Sequence, residues 1–205
     1  MQASRTSTTT DTGADTSADT GLRARLVDVG VELVADEGVQ ALTLREIARR
    51  AGVSHGAPRR YFLTHLELLS AIARRGFAAL AERAAEAAGD GTAPPREQLA
   101  ALGRCYLQFA LDHRGMYELM FRHDLLESGH LGLRDTSLPL FGRLVELVGQ
   151  VRPDTDARPV AGGLWANLHG IAQLWGWGSL QLATGADDFA PLLRSALDAH
   201  LGDAA

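Results

Sequence analysis

The segment from residue 43 to residue 62, TLREIARRAGVSHGAPRRYF, limits the possible folds more than any other part of the chain. Thr43 and Glu46 have the spacing of a capping box, so a helix can begin at Thr43. Gly52 can take the left-handed conformation that ends a helix, and Ser54 is of a type that begins the next one. Because two short helices joined by a tight turn form a helix-turn-helix, the pattern predicts such a corner here.

The predicted corner is basic, although the chain as a whole is acidic. Residues 39–65 contain five arginines and one acidic residue, a local charge of +4, whereas the whole chain carries −5. A short helix that begins with small residues can enter the major groove of DNA, where arginine forks bind guanine or hold phosphates. We therefore predict that the corner binds double-stranded DNA. The predicted contact residues are Thr43, Arg45, Ser54, His55, Gly56, Ala57, Arg59, Arg60, Tyr61 and His65.

The same segment also contains a rival motif. Residues 52–56 match G-x-S-x-G, the nucleophile elbow of α/β-hydrolases, which would make Ser54 the nucleophile of an esterase. That elbow requires a buried strand before the serine, and the residues before Ser54 instead have helical periodicity. A helical scaffold that uses the corner only for packing is the second alternative. We predict that the chain is not an enzyme.

Composition narrows the class of protein further. The chain has 205 residues, enough for one or two domains with a sizeable core. No apolar run is long enough to span a membrane, and the N-terminus lacks the pattern of a signal peptide. Cys105 is the only cysteine, which excludes an intramolecular disulfide and favours a cytoplasmic protein. All 20 basic residues are arginine, so lysine-based catalysis is excluded.

The chain divides into a tail, a head and a body. Residues 1–21 are rich in Ser, Thr, Asp and Gly, and we predict that they form a disordered tail. Residues 22–68 form the DNA-binding head, in which a helix over 22–37 braces the corner from behind. Residues 69–205 form a helical body for ligand binding and dimerisation, and the predicted class is all-α.

The helices of the body follow from capping and periodicity. Thr64 and Glu67 form a second capping box, which begins a helix over 65–88 that connects the head to the body. A mechanical link between the two parts is expected from its length. Further helices are predicted over 96–112, 115–126, 136–151, 160–183 and 187–201.

Residues 22–75 resemble the tetracycline-repressor (TetR) family of bacterial regulators. The stretches that carry the resemblance are 43–48, 51–56, 61–62 and 67–69. The resemblance implies a three-helix head, an all-helical body, a homodimer and a repressor that binds a near-palindromic operator and responds to a small, largely apolar effector. The sequence departs from the family pattern at 58–60 and at Leu63 and His65, and these departures affect the operator sequence. Because Pro58 lacks an N–H, we expect the second helix either to start later than Ser54 or to bend.

A second resemblance concerns the body. Residues 165–170, W-x-x-x-H-G, and the segment 113–121 are similar to one C-terminal subgroup of the family. Trp165 and His169 lie one turn apart and share a face, which predicts an apolar pocket with one polar group. A histidine bonded inside the core is the alternative. The other predicted lining residues, for which plain core packing is the alternative, are Tyr106, Phe109, Met120, Phe121 and Trp175.

Two further groups of residues bear on metal binding and on assembly. His113, His123, Asp124 and His130 lack the spacing of a metal site, so no metal or other cofactor is expected. Five glycines suggest that another helix approaches the 160–183 segment closely, either a helix of a second copy or one of the same subunit. These glycines are Gly162, Gly163, Gly170, Gly176 and Gly178.

Overall fold

The computed structural model describes residues 13–122, 124–125 and 132–202, and over these residues the chain forms ten α-helices and no strand. The predicted all-α class is therefore confirmed. We number the helices in chain order as α1 (Gly13–Glu37), α2 (Leu44–Arg50), α3 (Pro58–Tyr61), α4 (His65–Ala88), α5 (Pro95–Asp112), α6 (Arg114–Met120), α7 (Leu133–Val151), α8 (Ala157–Gly176), α9 (Ser179–Thr184) and α10 (Ala190–Leu201).

The head consists of α1, α2 and α3, and α1 supports the other two helices. Leu26 and Leu33 of α1 are fully buried in the core. At the turn after α2, the Arg25 guanidinium donates to the Ala51 carbonyl. The Arg23 guanidinium lies 4.9 Å from the centre of the Phe62 ring, which fixes the chain just after α3. The structure thus confirms that the first helix braces the corner.

Helix α4 joins the head to the body with the predicted bounds, His65–Ala88. It begins at Thr64, whose hydroxyl accepts from the Glu67 N–H at 3.1 Å. Its 24 residues span about 36 Å at the usual rise. It packs against α1 in the head and against α5, α6 and α7 in the body, so a shift of α4 moves both parts.

The body is built around α5, which packs against α4, α6, α7, α8 and α10. The faces that these helices turn toward one another are apolar, and burial of those side chains is the main stabilising contribution. The fully or nearly fully buried residues include Leu99, Leu107, Leu147, Val148, Leu164, Leu168, Leu193 and Leu197.

The first helix begins earlier than predicted. It starts at Gly13, within the segment that we predicted to be a disordered tail, while residues 1–12 lie outside the described residues. Once residues 22–37 are fixed by packing, each further turn requires no new nucleus. The absence of proline between Gly13 and Leu22 allows the helix to extend backward.

Two helices of the body are shorter than predicted. The helix predicted over 115–126 ends at Met120, and the backbone leaves the helix at residues 121–122 before it is helical again at 124–125. The helix predicted over 160–183 is two helices, α8 and α9, because the chain turns at Gly178, where φ is +77°. Helix α8 also begins at Ala157 rather than at 160, since Asp156 caps it and Pro159 falls in the first turn.

Candidate nucleic-acid interface

The first helix of the corner begins as predicted but uses only half of the capping box. The Thr43 hydroxyl accepts from the Glu46 N–H at 3.2 Å. The Glu46 carboxylate does not return to the cap. It accepts from Arg49 Nε at 2.8 Å and from Arg50 Nε at 2.9 Å, and these bonds lower the pKa of Glu46 to about 2.

These contacts change the charge that the corner presents. Arg49 and Arg50 bind Glu46, and Arg50 also binds Glu37 of α1. Glu46 and Glu37 together balance these two arginines. Glu46 is already subtracted in the +4 counted over residues 39–65, so including Glu37 leaves +3. Among the residues that the structure describes, Arg59 and Arg60 have no acidic partner, and neither does Arg45.

The turn between the helices has the predicted geometry. Gly52 has φ of +65°, the left-handed region that side chains avoid. The Val53 N–H donates to the Ala48 carbonyl at 3.0 Å, and the Val53 side chain packs against the core. Together with the bond from Arg25 to Ala51, this fixes the direction in which the chain leaves α2.

The second helix of the corner begins at Pro58 and not at Ser54, which is the later start that the missing N–H of Pro58 predicts. A helix that began at Ser54 would need the N–H of residue 58 to bind the Ser54 carbonyl, and proline has no N–H. The Ala57 N–H binds that carbonyl instead, at 2.9 Å. Ser54 therefore does not cap α3, whose start has no side-chain cap, and residues 54–57 form turns.

The predicted DNA contacts mostly lie on the surface. Pro58 and Phe62 are buried and anchor the ends of α3, whereas the arginines between them are exposed. Ala57 and Tyr61 are half-buried. The exposed members of the predicted set are Thr43, Arg45, Ser54, His55, Gly56, Arg59, Arg60 and His65.

His65 is placed differently from the other members. Its ring Nε2 donates to the Leu42 carbonyl at 2.6 Å, which ties the start of α4 to the segment before α2. That ring proton is therefore used within the protein. We still predict a phosphate contact at His65, but from its backbone N–H and not from its ring. That N–H lies in the first turn of α4 and has no partner inside the helix.

The structure gives no support to the esterase alternative. The residues before Ser54 form helix α2, Leu44–Arg50, and not the strand that a nucleophile elbow requires.

No helix among residues 13–122, 124–125 and 132–202 is long and apolar enough to cross a membrane. Within the same residues, no group of three His, Cys, Asp or Glu side chains could hold a metal ion. Asp124 binds Arg122, and His123 and His130 lie outside the described residues.

The body contains an apolar cavity of about 320 Å³ between α4, α5, α7 and α8. Of the predicted pocket residues, Tyr106, Phe121 and Trp165 line it. The remaining lining residues are Phe77, Leu80, Ala84, Leu99, Leu102, Gly103, Cys105, Ser137, Leu138, Leu140, Phe141, Arg143, Leu144 and Leu168.

The other predicted pocket residues lie elsewhere. Phe109 and Met120 are fully buried in the core. Trp175 packs edge-to-face on Phe189, with ring centres 6.2 Å apart. Helix α7 contributes six lining residues; helical periodicity predicts three of them as core and does not single out the other three. The sequence does carry one indication that α7 lines a cavity, because Arg143 is a charged residue beside the apolar stripe of that helix.

His169 lies behind the cavity wall in a small polar cluster. Its Nδ1 is 2.9 Å from the Tyr106 hydroxyl and 2.7 Å from the Tyr117 hydroxyl, and the two hydroxyls are 2.9 Å apart. Burial raises the pKa of Tyr106 to about 12 and also raises that of Tyr117, so both hydroxyls stay neutral. Burial lowers the pKa of His169. This geometry matches the alternative of a histidine bonded within the core.

The lowered pKa of His169 predicts a pH dependence of folding. Because the pKa of His169 in the folded chain lies below the ordinary value of about 6.5, the unfolded chain takes up the proton first as the pH falls. The stability that the neutral ring contributes is therefore complete above about pH 6.5 and is lost as the pH falls further. The variant His169→Gln should lose less stability between about pH 7.5 and about pH 5 than the native chain. Urea unfolding of both proteins at the two pH values measures the loss of stability. His113, whose pKa is also lowered, is present in both proteins and therefore contributes equally to both losses. Equal losses would contradict the prediction.

Comparison with known proteins agrees with this architecture. Residues 26–72 match the family of bacterial regulatory proteins, tetR family. Residues 99–199 match the tetracyclin repressor-like C-terminal domain. The chain belongs to the TetR family. It is therefore a DNA-binding transcriptional regulator, as the corner and the resemblance predicted.

One relative in sequence and two solved structures show what this TetR-family chain is similar to. The HTH-type transcriptional regulator BetI of Rhizobium meliloti (strain 1021) is 40% identical over 82 residues, which are 40% of this chain and 40% of that protein. A protein of unknown function from Rhodococcus sp. RHA1 has 28% identity and a TM-score of 0.74, over 88% of this chain and 93% of that one. The multidrug binding protein EbrR, solved with imidazole, has 25% identity and a TM-score of 0.57, over 89% and 96%.

Proposed function

We propose that this TetR-family chain is a homodimeric repressor that works in the cytoplasm, binds a near-palindromic operator and releases it when a small, largely apolar effector enters the body. The observation that supports the proposal most strongly is the set of exposed arginines Arg45, Arg59 and Arg60, which lack acidic partners among the described residues, on the head of a chain with a net charge of −5. Such a local excess of positive charge is expected at a surface that binds DNA.

The head would contact DNA through α3 and the helix starts beside it. Helix α3 would enter the major groove, where Arg59 and Arg60 reach base edges or phosphates. The first turns of α2 and α4, near Thr43 and His65, would offer backbone N–H groups to the phosphates on either side. Arg49 and Arg50 contribute little to DNA binding in this arrangement, because their guanidiniums already bind Glu46.

Operator binding can be tested with the DNA upstream of the protein's own gene. We expect a duplex from that region to bind more tightly than a scrambled duplex of equal length, measured by fluorescence anisotropy. The affinity should fall steeply with salt, because each neutralised phosphate releases counterions. A helical scaffold that does not bind DNA would show no preference and no salt dependence, and that result would contradict the proposal.

The dimer face that we propose lies on α8. Gly162, Ala166, Gly170 and Leu174 follow at intervals of four residues and share one side of this helix. An added Cβ at Gly162 or Gly170 would meet nothing within 4 Å, so this side is open, whereas Gly163 faces His200 of its own subunit. Leu174 is 40% exposed and Trp177, just beyond the helix, is 67% exposed. Small residues flanked by exposed apolar ones allow a helix of a second copy to pack closely.

Charge placed on this face should separate the subunits. We expect Ala166→Arg to give a monomer in sedimentation velocity, because an unpaired guanidinium would have to be buried at the centre of the interface. Operator affinity should fall with it, since one head contacts only one half-site. The matched control is Ala87→Arg, which adds the same side chain at an exposed position of α4 and should stay dimeric. A dimeric Ala166→Arg protein would place the interface elsewhere.

The cavity in the body is the proposed effector site. Its walls are mostly leucine and aromatic side chains, which suits a ligand with a large apolar part. The neighbour EbrR binds imidazole, which supports a small-molecule effector for this chain also. Phe77 of α4 and Phe121, just after α6, contact each other in the wall at 5.6 Å between ring centres. Because α4 and α6 also pack on α1, an occupied cavity can favour a different position of the head.

A further inference from the structure

One charged side chain stands out in the apolar cavity. Arg143 lies on α7 between Leu140 and Leu144, both of which line the same wall. Its guanidinium reaches across to α5, where Nη2 donates to Gln98 Oε1 at 2.9 Å. Both helices line the cavity, and Gln98 directly precedes Leu99, the first residue of α5 in the lining, so Arg143 lies at one end of the cavity. The Arg143 side chain is 40% exposed, so the cation lies where the apolar cavity meets solvent.

The bond to Gln98 holds Arg143 firmly. The Gln98 side chain is buried, and its Nε2 donates to the carbonyls of Gly91 at 3.0 Å and Ala93 at 2.7 Å. Its amide orientation is thereby fixed, with the oxygen facing the guanidinium. Gln98 is thus a positioning residue that sets the direction of the Arg143 fork.

The acid now paired with Arg143 is easily replaced. Nη1 donates to Glu146 at 2.8 Å, but Glu146 lies one turn along the same helix and its side chain is 57% exposed. Exposed pairs of this kind contribute little to stability. The bonds to Glu146 and Gln98 use two of the five N–H groups that a guanidinium carries. The others can bind a carboxylate that enters through the cavity.

The remainder of the cavity offers a long apolar surface. Its lining on α5 extends from Leu99 to Tyr106, which is about 10 Å at the usual helical rise. Leu102 and Leu144 lie along the way, and the cavity is lined by the aromatic rings of Phe121 and Trp165 as well. An unbranched chain of eight carbons has a comparable length. The cavity thus combines one cationic end with an aliphatic and aromatic interior.

We propose that the effector is an amphipathic monocarboxylate, whose carboxylate binds the Arg143 guanidinium and whose aliphatic chain lies between α5 and α7. This inference rests on the proposed function, because it names the ligand class of the proposed effector site. The carboxylate displaces Glu146 from Arg143, and Gln98 keeps the fork aimed at the ligand. A neutral ligand with the same chain fills the apolar part but leaves the guanidinium without its new partner.

The test compares octanoate with octan-1-ol, measured by isothermal titration calorimetry on the full chain without DNA. Octanoate should bind the native protein at least about tenfold more tightly than octan-1-ol, since a hydrogen bond between charged groups is added. Arg143→Gln should remove this preference by weakening octanoate alone, and Arg143→Lys should keep part of it. The control Arg104→Gln removes an exposed arginine of α5 and should leave both affinities unchanged. Thermal unfolding of each variant shows that it is folded.

Three results would overturn the inference: equal affinities for the two probes, no binding of either, or a preference that survives Arg143→Gln. Operator binding is measured in parallel without any ligand, so the two claims fail separately. Intact operator binding without a preference for octanoate contradicts only the effector class. A preference for octanoate in a protein that does not bind its upstream DNA contradicts the proposed repressor and leaves the cavity chemistry in place.

Discussion

Replacing Arg59 and Arg60 together by alanine should abolish specific operator binding while the protein stays folded and dimeric. Both side chains are exposed on α3, and nothing in the described structure holds them against an acid. A good arginine contact to a base is worth about 1–3 kcal/mol, so the loss of two should weaken binding by a factor of at least about 30. Fluorescence anisotropy with the upstream duplex measures the affinity, and sedimentation velocity measures the assembly.

The matched control for this variant is Arg49→Ala with Arg50→Ala. It removes the same formal charge from the head, but these arginines already bind Glu46 and Glu37. We expect a much smaller loss of operator affinity from this pair. If both double variants lose affinity equally, DNA binding depends on net charge alone and α3 is not the helix that recognises the operator.

The second large effect is expected at the joint between head and body. Gly115 of α6 lies so close to α1 that an added Cβ would be 2.4 Å from the Val34 carbonyl oxygen. Both groups are held by helix backbone, so the helices must separate to admit a methyl group. Gly115→Ala should lower the free energy of unfolding by about 1–3 kcal/mol. The effector should also release the operator less effectively from this variant, because α6 no longer packs closely on α1.

Gly142→Ala provides the opposite case. Gly142 lies inside α7, and an added Cβ there would meet nothing within 4 Å. Alanine is favoured over glycine in a helix interior, so this variant should gain about 0.5–1 kcal/mol. Urea unfolding of both variants at one temperature measures the two changes. A Gly115→Ala protein as stable as the native chain would show that the contact between α6 and α1 is loose.

Local chemistry explains why some boundaries were predictable from the sequence. Thr43 and Thr64 cap α2 and α4 through bonds that span three residues, so both helix starts could be located. The effect of Pro58 is equally local, because it removes the one N–H that a helix from Ser54 requires. The pairing of Glu46 with Arg49 and Arg50 also follows from helical spacing, whereas the contact between Arg50 and Glu37 joins two helices and lowers the count over residues 39–65 from +4 to +3.

The effector cavity was less predictable, because it depends on how distant helices pack. Phe109 and Trp165 have similar apolar character, yet one is fully buried and the other lines the cavity and is 41% exposed. Periodicity shows which face of a helix is apolar, but not which part of that face meets a neighbour and which part faces an empty space. The contribution of α7 therefore appeared only with the packing of that helix against α5.

The most direct test of the central claim is methylation interference on the upstream DNA. If the two heads place Arg59 and Arg60 in successive major grooves, methylation of guanine N7 should block binding at two clusters on one face of the duplex. Their centres should lie about 10 base pairs apart. Interference at a single cluster, at clusters on opposite faces, or at no guanine would show that the arginine-bearing corners do not sit against the duplex in this way.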